Sequence, residues 1–353
     1  MRIGIPKEIK TLEGRIALIP DAVADVVKQG HEVYVQAHAG EQSGYSDEAF
    51  VHAGAQILPD AKALYAAGDM IVKVKEPQPP ELSMLRSDQI LFSYLHLAAE
   101  LDLMKGLQDC GITAVGFETV QTADGQLPLL APMSDIAGRV AIQVGCHLLH
   151  GPQGGRGILL GGLPAAERGK VVILGAGTAG GNAALYAANI GAEVVVFDRN
   201  RSKLERMRAL GANVTGLYPY AHSLAEHVQQ ADLLVGAVLV TGERAPRIVT
   251  ADMVRGMKKG SVIVDISVDQ GGCIETTRPT NYQNPTFEWE GVIHFGVTNM
   301  PGAVPRTASQ ALSASLLRYV LLLAQPKGLQ QSELAAGINV QQGKIVHPAL
   351  QNL

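Results

Sequence analysis

The chain has 353 residues, of which 47% are hydrophobic and 18% charged, and its formal net charge is −4. This length predicts two domains that each bury a core, and the slight acidity without a basic run argues against a nucleic-acid partner. Three widely spaced cysteines, Cys110, Cys146 and Cys273, argue against a disulfide framework or a zinc site and favour a reducing cytoplasm. No apolar run is long enough to span a membrane, and we expect no signal peptide before the first strand.

In the N-terminal part, predicted strands alternate with predicted helices. The strands are 2–5, 32–36, 70–75, 90–94 and 113–118, and the helices are 20–28, 47–53 and 99–108. This alternation is typical of a mostly parallel sheet. Pro128 and Pro132 then mark a boundary, and Ser134 is the predicted N-cap of a long helix over 135–149 that joins the domains.

Residues 171–198 carry the most specific motif. An apolar strand leads into Gly175, Gly177 and Gly180, spaced G-x-G-x-x-G, and a helix and a second strand ending on Asp198 follow. The first glycine permits a tight turn, the second lets a pyrophosphate approach the backbone, and the third lets the helix pack on the strand. Asp198 is placed to accept hydrogen bonds from ribose hydroxyls and to disfavour the 2′-phosphate of NADP. The motif therefore predicts a dinucleotide site that prefers NAD, rather than a glycine-rich turn in an unrelated fold.

Alternation continues to the C-terminus. The further predicted helices are 203–210, 224–230, 253–257 and 307–323, and the further strands are 233–235, 261–266 and 292–297. We expect the segment from Thr307 onward to return to the first domain. The predicted fold is α/β with two Rossmann-like doubly wound domains. An NAD-binding domain, 129–306, is inserted into a discontinuous catalytic domain, 1–128 and 307–353.

Several chemically capable side chains follow predicted strands, where open parallel sheets bind ligands. These are Lys75, His96, Glu118 and Asp269, and Arg15 lies in the first loop. Each also has a purely structural explanation: an exposed strand end for the lysine, a core position for the histidine, a turn cap for Asp269 and a surface ion pair for Arg15. Beside a nicotinamide site, however, a histidine supplies an acid/base group, and arginine and lysine hold a carboxylate. Glu118, as one carboxylate without visible partners, is weak evidence for a cation, and we expect no metal site.

From end to end, the sequence resembles the bacterial L-alanine dehydrogenases and the related first component of proton-translocating transhydrogenase. The resemblance rests on RIGIPKE at 2–8, VKVKEP at 72–77, YLHLAA at 94–99, ETVQ at 118–121, APMS at 131–134, QGGRG at 153–157, GAVLV at 236–240, VDQGGC at 268–273 and NMP at 299–301.

This resemblance implies roles for individual residues. Arg15 and Lys75 hold the substrate carboxylate and keto oxygen, His96 is the general acid/base, and Asp269 assists catalysis beside the nicotinamide. The implied cofactor-binding residues are Ser134, Gly175, Gly177, Thr178, Gly180, Asp198, Lys203, Val238, Leu239, Ile266, Ser267, Val268, Asp269, Arg278, Val297, Thr298, Asn299 and Met300.

The activity that the resemblance implies is reversible, NAD-dependent oxidative deamination of L-alanine to pyruvate and ammonium, in a cytoplasmic homohexamer. Two alternatives remain open from the sequence. One is a soluble NAD-binding component that passes hydride to a membrane-embedded transhydrogenase partner, against which the set of Arg15, Lys75 and His96 argues. The other is a related opine- or saccharopine-type dehydrogenase, which condenses a larger amine with a keto acid.

Overall fold

Two sheets organise the chain, each within its own unit. The structure, a computed structural model, describes residues 1–238 and 245–351. One unit contains Met1–Met133 and Val304–Leu353, and the other contains Ser134–Ala303. The strands are β1 Arg2–Ile5, β2 Glu32–Gln36, β3 Gln56–Leu58, β4 Met70–Val72, β5 Ile90–Ser93, β6 Thr113–Gly116, β7 Lys170–Leu174, β8 Glu193–Phe197, β9 Val214–Leu217, β10 Leu233–Gly236, β11 Val262–Asp265, β12 Thr286–Trp289, β13 Val292–Phe295, β14 Ile338–Gln341 and β15 Lys344–Ile345.

Helices connect most of the parallel strands, as the alternation in the sequence predicts. They are α1 Pro20–Lys28, α2 Asp47–His52, α3 Ala61–Ala67, α4 Pro79–Leu82, α5 Leu101–Cys110, α6 Ala131–Leu148, α7 Thr178–Asn189, α8 Arg201–Arg208, α9 Ala221–Gln230, α10 Ala251–Arg255, α11 Pro305–Leu323 and α12 Ser332–Gly337. No helix of the described residues is long and apolar enough to cross a membrane.

The sheet of the first unit has the order β15-β14-β6-β5-β4-β1-β2-β3. Strands β1 to β6 are parallel, and β14 and β15 are added in antiparallel pairings. Its six parallel strands thus have the 3-2-1-4-5-6 order of a doubly wound Rossmann sheet. Successive strands are added on one side of β1 and then on the other side of β4, so the strand order reverses between these two parallel strands. A crevice is expected beyond the carboxyl ends of β1 and β4.

The second unit repeats this order. Its sheet runs β12-β13-β11-β10-β7-β8-β9, with only β12 antiparallel to its neighbour. The apolar runs of β7, β10 and β11 are buried because helices cover both faces of a parallel sheet. These two sheets confirm the predicted α/β class with two Rossmann-like folds.

Some predicted boundaries are wrong. Ser134 is not an N-cap, because α6 begins at Ala131 and includes it. Pro132 lies in the first turn of α6, where the missing N–H of proline costs no helical hydrogen bond. The strand before Lys75 ends at Val72, and the strand before Glu118 ends at Gly116, where a short 3₁₀ helix follows.

Candidate active site

The loops after β1 and β4 bring both predicted substrate-binding residues to the first unit's switch point. Arg15 follows β1 and Lys75 follows β4, and these two strands are neighbours in the sheet. The carboxyl edge between such strands is where doubly wound sheets bind ligands.

Arg15 is almost fully buried, with an exposed fraction of 2%. Its Nε and Nη2 donate to Glu13 Oε1 at 2.6 Å and Oε2 at 2.5 Å, and its Nη1 lies 3.1 Å from Met133 Sδ. Burial favours loss of the guanidinium charge, but the bonds to Glu13 outweigh it, so the pKa of Arg15 is raised. The paired carboxylate fixes the planar guanidinium in one orientation. The surface ion pair considered from the sequence is therefore wrong, because this pair is buried.

Lys75 is half-buried and lies beside Glu76. Burial favours the neutral form of Glu76, but the hydrogen bond from Lys10 and the charges of Lys75 and Lys10 more than offset this, so the pKa of Glu76 is lowered. Lys75 is thus part of a cluster of opposite charges and not an isolated strand end.

His96 is exposed and has a left-handed backbone, with φ of 50°. The tight turn is fixed by Glu118, whose Oε1 accepts the N–H of His96 at 2.7 Å and that of Leu95 at 3.2 Å. A left-handed backbone is strained at a residue other than glycine, and it persists only where the surrounding structure holds it. Such positions concentrate at functional sites. The core-histidine alternative is excluded because His96 is an exposed residue. Among the residues that the structure describes, no cluster of metal-ligating side chains includes Glu118.

Tyr94 is a site residue that the sequence reasoning missed. Its ring is stacked on that of His96, with centroids 5.8 Å apart and planes at 5°, and its hydroxyl donates to the carbonyl of Leu129 at 2.6 Å. Burial raises the pKa of Tyr94, so the phenol stays neutral and keeps this bond. The available signal was the position of Tyr94 in the same YLHLAA segment, two residues before His96.

In the second unit, the glycine loop follows β7 and begins α7. Gly175 has φ of 95°, and a Cβ there would lie 2.5 Å from the carbonyl oxygen of Ala237. A Cβ on Gly180 would lie 1.8 Å from the carbonyl oxygen of Gly175, so this glycine is required for α7 to pack on the loop. At Gly177, the N-cap of α7, no described atom lies within 4 Å of the Cβ position. The loop therefore fits a pyrophosphate held at a helix N-terminus.

Asp198 follows β8 and is bonded to this loop. Its Oδ2 accepts the N–H of Ala176 at 2.7 Å, and its Oδ1 accepts the N–H of Asn200 at 2.8 Å. Asn200 in turn caps α8 by accepting the N–H of Lys203 at 3.2 Å. A single network thus joins the glycine loop, the acid and the lysine of the predicted cofactor set.

The segment after β11 contacts the segment after β10. Ser267 Oγ accepts the N–H of Val238 at 2.9 Å and donates to its carbonyl oxygen at the same distance. Asp269 is exposed in the 3₁₀ turn Ile266–Gln270. These two segments lie at the carboxyl edge of neighbouring strands, next to the strand that feeds the glycine loop.

The structure places the other predicted cofactor residues within the second unit, in several environments. Ser134 is half-buried in α6, Thr178 is the exposed first residue of α7, and Arg278 packs over the ring of Phe287 at 4.5 Å. Asn299 has a left-handed backbone, with φ of 63°. Val268, Val297 and Met300 are buried, Ile266 is half-buried, Thr298 is exposed, and Leu239 lies outside the described residues.

Asp265, at the end of β11, is expected to make stability pH-dependent. Burial raises its pKa to about 6, although backbone N–H groups of Ser267 and Cys273 donate to it. Because the folded value exceeds the unfolded one, the stabilisation is complete below about pH 4 and is lost as pH rises through about 6. Relative to Asp265→Asn, the wild-type free energy of unfolding should fall by about 2 kcal/mol between pH 4 and 7 in urea titrations. Parallel pH profiles for the two proteins would contradict this assignment.

The sheet order, the glycine loop and the acid after β8 define the second unit as a Rossmann-type fold for a pyridine nucleotide. The profile of the alanine dehydrogenase/PNT N-terminal domain matches residues 4–137, and that of the C-terminal domain matches residues 141–348. The chain belongs to the alanine dehydrogenase/PNT family.

Individual relatives agree with this assignment. An alanine dehydrogenase of Halomonas elongata is 47% identical, in an alignment that covers 99% of this chain and 96% of the relative. A solved L-alanine dehydrogenase is 50% identical with a TM-score of 0.96, covering 100% of this chain and 98% of that chain. A transhydrogenase from Sinorhizobium meliloti has a TM-score of 0.86 at 26% identity, covering 99% and 100%.

Proposed function

We propose that this protein is an NAD-dependent L-alanine dehydrogenase, which converts L-alanine, NAD⁺ and water to pyruvate, ammonium, NADH and a proton, and catalyses the reverse reaction. The observation that carries the proposal is the grouping of Arg15, Lys75 and His96 at the carboxyl edge of the first sheet. The relatives named alanine dehydrogenase, at 47% and 50% identity over nearly the whole chain, support it.

The second unit is proposed to bind NAD. The glycine loop and the N-terminus of α7 would hold the pyrophosphate, and Asp198 would accept the adenosine ribose hydroxyls. The segments at 266–269 and 297–300, with Ser134, Lys203, Val238 and Arg278, would complete the site. Leu239 is kept as part of this proposal from the resemblance alone. Once bound, the nicotinamide supplies the hydride acceptor.

The first unit is proposed to hold the substrate and move its protons. The guanidinium of Arg15, oriented by Glu13, pairs with the substrate carboxylate, and the ammonium of Lys75 polarises the carbonyl of pyruvate. After the substrate nitrogen has lost a proton and Cα has lost a hydride, water adds to the carbon of the resulting iminium while His96 takes a proton from that water. His96 then returns a proton to the nitrogen, ammonia leaves as the carbonyl forms, and the hydroxyl proton passes to the ammonia, which is released as ammonium. From the family resemblance alone, Asp269 of the second unit is proposed as a further catalytic residue.

We further propose the domain roles 1–128 with 307–353 for substrate and 129–306 for NAD, and a cytoplasmic homohexamer. None of the three cysteines, all of which are described, forms a disulfide, and this is compatible with the cytoplasm. A light-scattering mass of six chains supports the hexamer, and any other mass argues against it.

The function is tested by NADH absorbance with purified protein, NAD and L-alanine at alkaline pH. Reduction of NAD by alanine alone supports the proposal. If NADH binds but alanine gives no reduction, the transhydrogenase-like alternative is favoured. Turnover of pyruvate with a larger amine, but not with ammonium, favours the opine-forming alternative.

Asp198 should determine the preference for NAD over NADP. Replacing it with asparagine removes the charge that opposes a 2′-phosphate and one acceptor for the N–H groups of Ala176 and Asn200. We expect the ratio of kcat/KM for NAD to that for NADP to fall about tenfold or more. Glu193→Gln removes an equal charge from the opposite end of β8 and should leave the ratio unchanged. An unaltered ratio in Asp198→Asn would refute the role.

A further inference from the structure

The run 72–75 contains two lysines in very different environments. Lys75 is half-buried, whereas Lys73 has an exposed fraction of only 1%. A lysine is almost never buried so completely unless its ammonium is paired. The partners of the Lys73 ammonium therefore indicate the structural role of this buried charge.

The ammonium of Lys73 is surrounded by four acceptors. Two are carboxylates, Glu8 Oε2 at 3.1 Å and Glu81 Oε2 at 3.3 Å. Two are backbone carbonyls, of Lys75 at 3.0 Å and Glu76 at 3.4 Å. Because the carbonyl acceptors lie two and three residues ahead, the side chain folds the segment that bears Lys75 back over its own ammonium.

Glu8 holds the same segment from the neighbouring loop. Its Oε1 accepts the N–H of Val74 at 2.5 Å and that of Lys75 at 3.4 Å, while its Oε2 accepts from Lys73. Burial raises the pKa of Glu8, against the opposing charge of Lys73. One carboxylate thus joins the loop after β1 to the loop after β4, across the switch point of the sheet.

Glu81 provides a comparison within the same network. It contacts the same ammonium, but its other partners are the hydroxyl of Tyr65 at 2.8 Å and the N–H of Gln78 at 2.7 Å. Among the described contacts, none joins Glu81 to the backbone of residues 74 and 75. Glu8 and Glu81 therefore share a charge partner and differ in whether they hold the segment that bears Lys75.

We propose that Glu8 and Lys73 are positioning residues, which fix the backbone of Lys75 so that its ammonium meets the substrate carbonyl. This inference rests on the proposed function, in which Lys75 binds pyruvate. An amide at position 8 cannot replace the carboxylate, because its NH₂ group would oppose the ammonium or the two N–H donors. The hydrogen bonds that Glu8 accepts from Lys73, Val74 and Lys75, together called the clamp, thus require a charge at position 8.

The test compares full-length Glu8→Gln with Glu81→Gln, each alone and combined with Lys75→Met. We expect Glu8→Gln to raise the KM for pyruvate about tenfold or more, the scale of a lost hydrogen bond to a charged group, and Glu81→Gln to raise it less than about threefold. In the Lys75→Met background, Glu8→Gln should cause almost no further rise in the KM for pyruvate, because Glu8 acts on this KM through Lys75. NADH affinity should be unchanged in both single variants.

Hydrogen exchange of residues 73–77 gives a second readout that needs no activity. Glu8→Gln should accelerate exchange at Val74 and Lys75, and Glu81→Gln should not. Equal changes of the exchange rate in Glu8→Gln and Glu81→Gln would overturn the clamp. Losses of kcat/KM from Glu8→Gln and Lys75→Met that add in the double variant would also overturn it. If wild-type protein fails to reduce pyruvate, the proposed function fails, and the exchange comparison still decides whether Glu8 holds the segment.

Discussion

Gly177→Ala is expected to abolish dinucleotide binding while leaving the fold intact. The backbone of Gly177 has φ of −72°, which alanine adopts without strain, and no described atom lies within 4 Å of the new Cβ. A methyl group at this N-cap, however, would occupy the approach of a pyrophosphate to the helix N-terminus. We expect NADH affinity to fall more than about 100-fold, equivalent to about 3 kcal/mol, in fluorescence titrations.

Two neighbouring glycines supply the controls for this loss. A Cβ on Gly181 would meet Met207 Cε at 3.5 Å, an ordinary contact, so Gly181→Ala should keep NADH affinity and gain up to about 1 kcal/mol of stability. At Gly180, the Cβ would lie 1.8 Å from a backbone oxygen, so Gly180→Ala should lose both affinity and stability. Unchanged affinity in Gly177→Ala, with a normal unfolding midpoint, would show that the pyrophosphate does not lie at this turn.

His96→Asn is expected to reduce kcat for alanine oxidation by a factor of about 10² to 10⁴, the usual contribution of a general acid/base. Asparagine tolerates the left-handed backbone at φ of 50° and leaves its N–H to donate to Glu118, so the turn should persist. NADH affinity should remain within about twofold of wild type, because His96 is not among the residues proposed to bind the cofactor. Stopped-flow NADH formation and equilibrium titration measure the two quantities.

The control for this variant is a second exposed histidine with a left-handed backbone. His38 has φ of 64°, and its Nδ1 lies 2.7 Å from Glu41 Oε1. His38→Asn makes the same chemical change at the same kind of backbone position and should retain kcat. Equal kcat in His96→Asn and wild type, or equal losses in the two variants, would rule out a specific proton-transfer role for His96.

Local patterns in the sequence were sufficient for the fold class and the dinucleotide motif. Gly175 has a positive φ and Gly180 approaches another backbone closely, and only a residue without a Cβ fits either position. Glycine in the sequence therefore indicates the local conformation directly. Alternating strands and helices likewise constrain the chain to parallel sheets. The sequence alone therefore predicts the chain order of the elements, the position of Asp198 after β8 and the family resemblance.

Contacts between distant residues were decided only by the tertiary structure. Glu8 and Lys73 are 65 residues apart, and Glu118 reaches His96 across 22 residues, so no local periodicity reveals either contact. The sequence placed Lys75 and Glu118 at the ends of strands, but both strands end earlier. Beyond the strand before Lys75, backbone N–H groups donate to the buried carboxylate of Glu8, and beyond the strand before Glu118 the chain forms a 3₁₀ turn. The sequence determined which side chains are available for chemistry. The packing of neighbouring loops at the switch point of the sheet determined which side chains are held in place, because buried charges must find partners wherever the fold brings them.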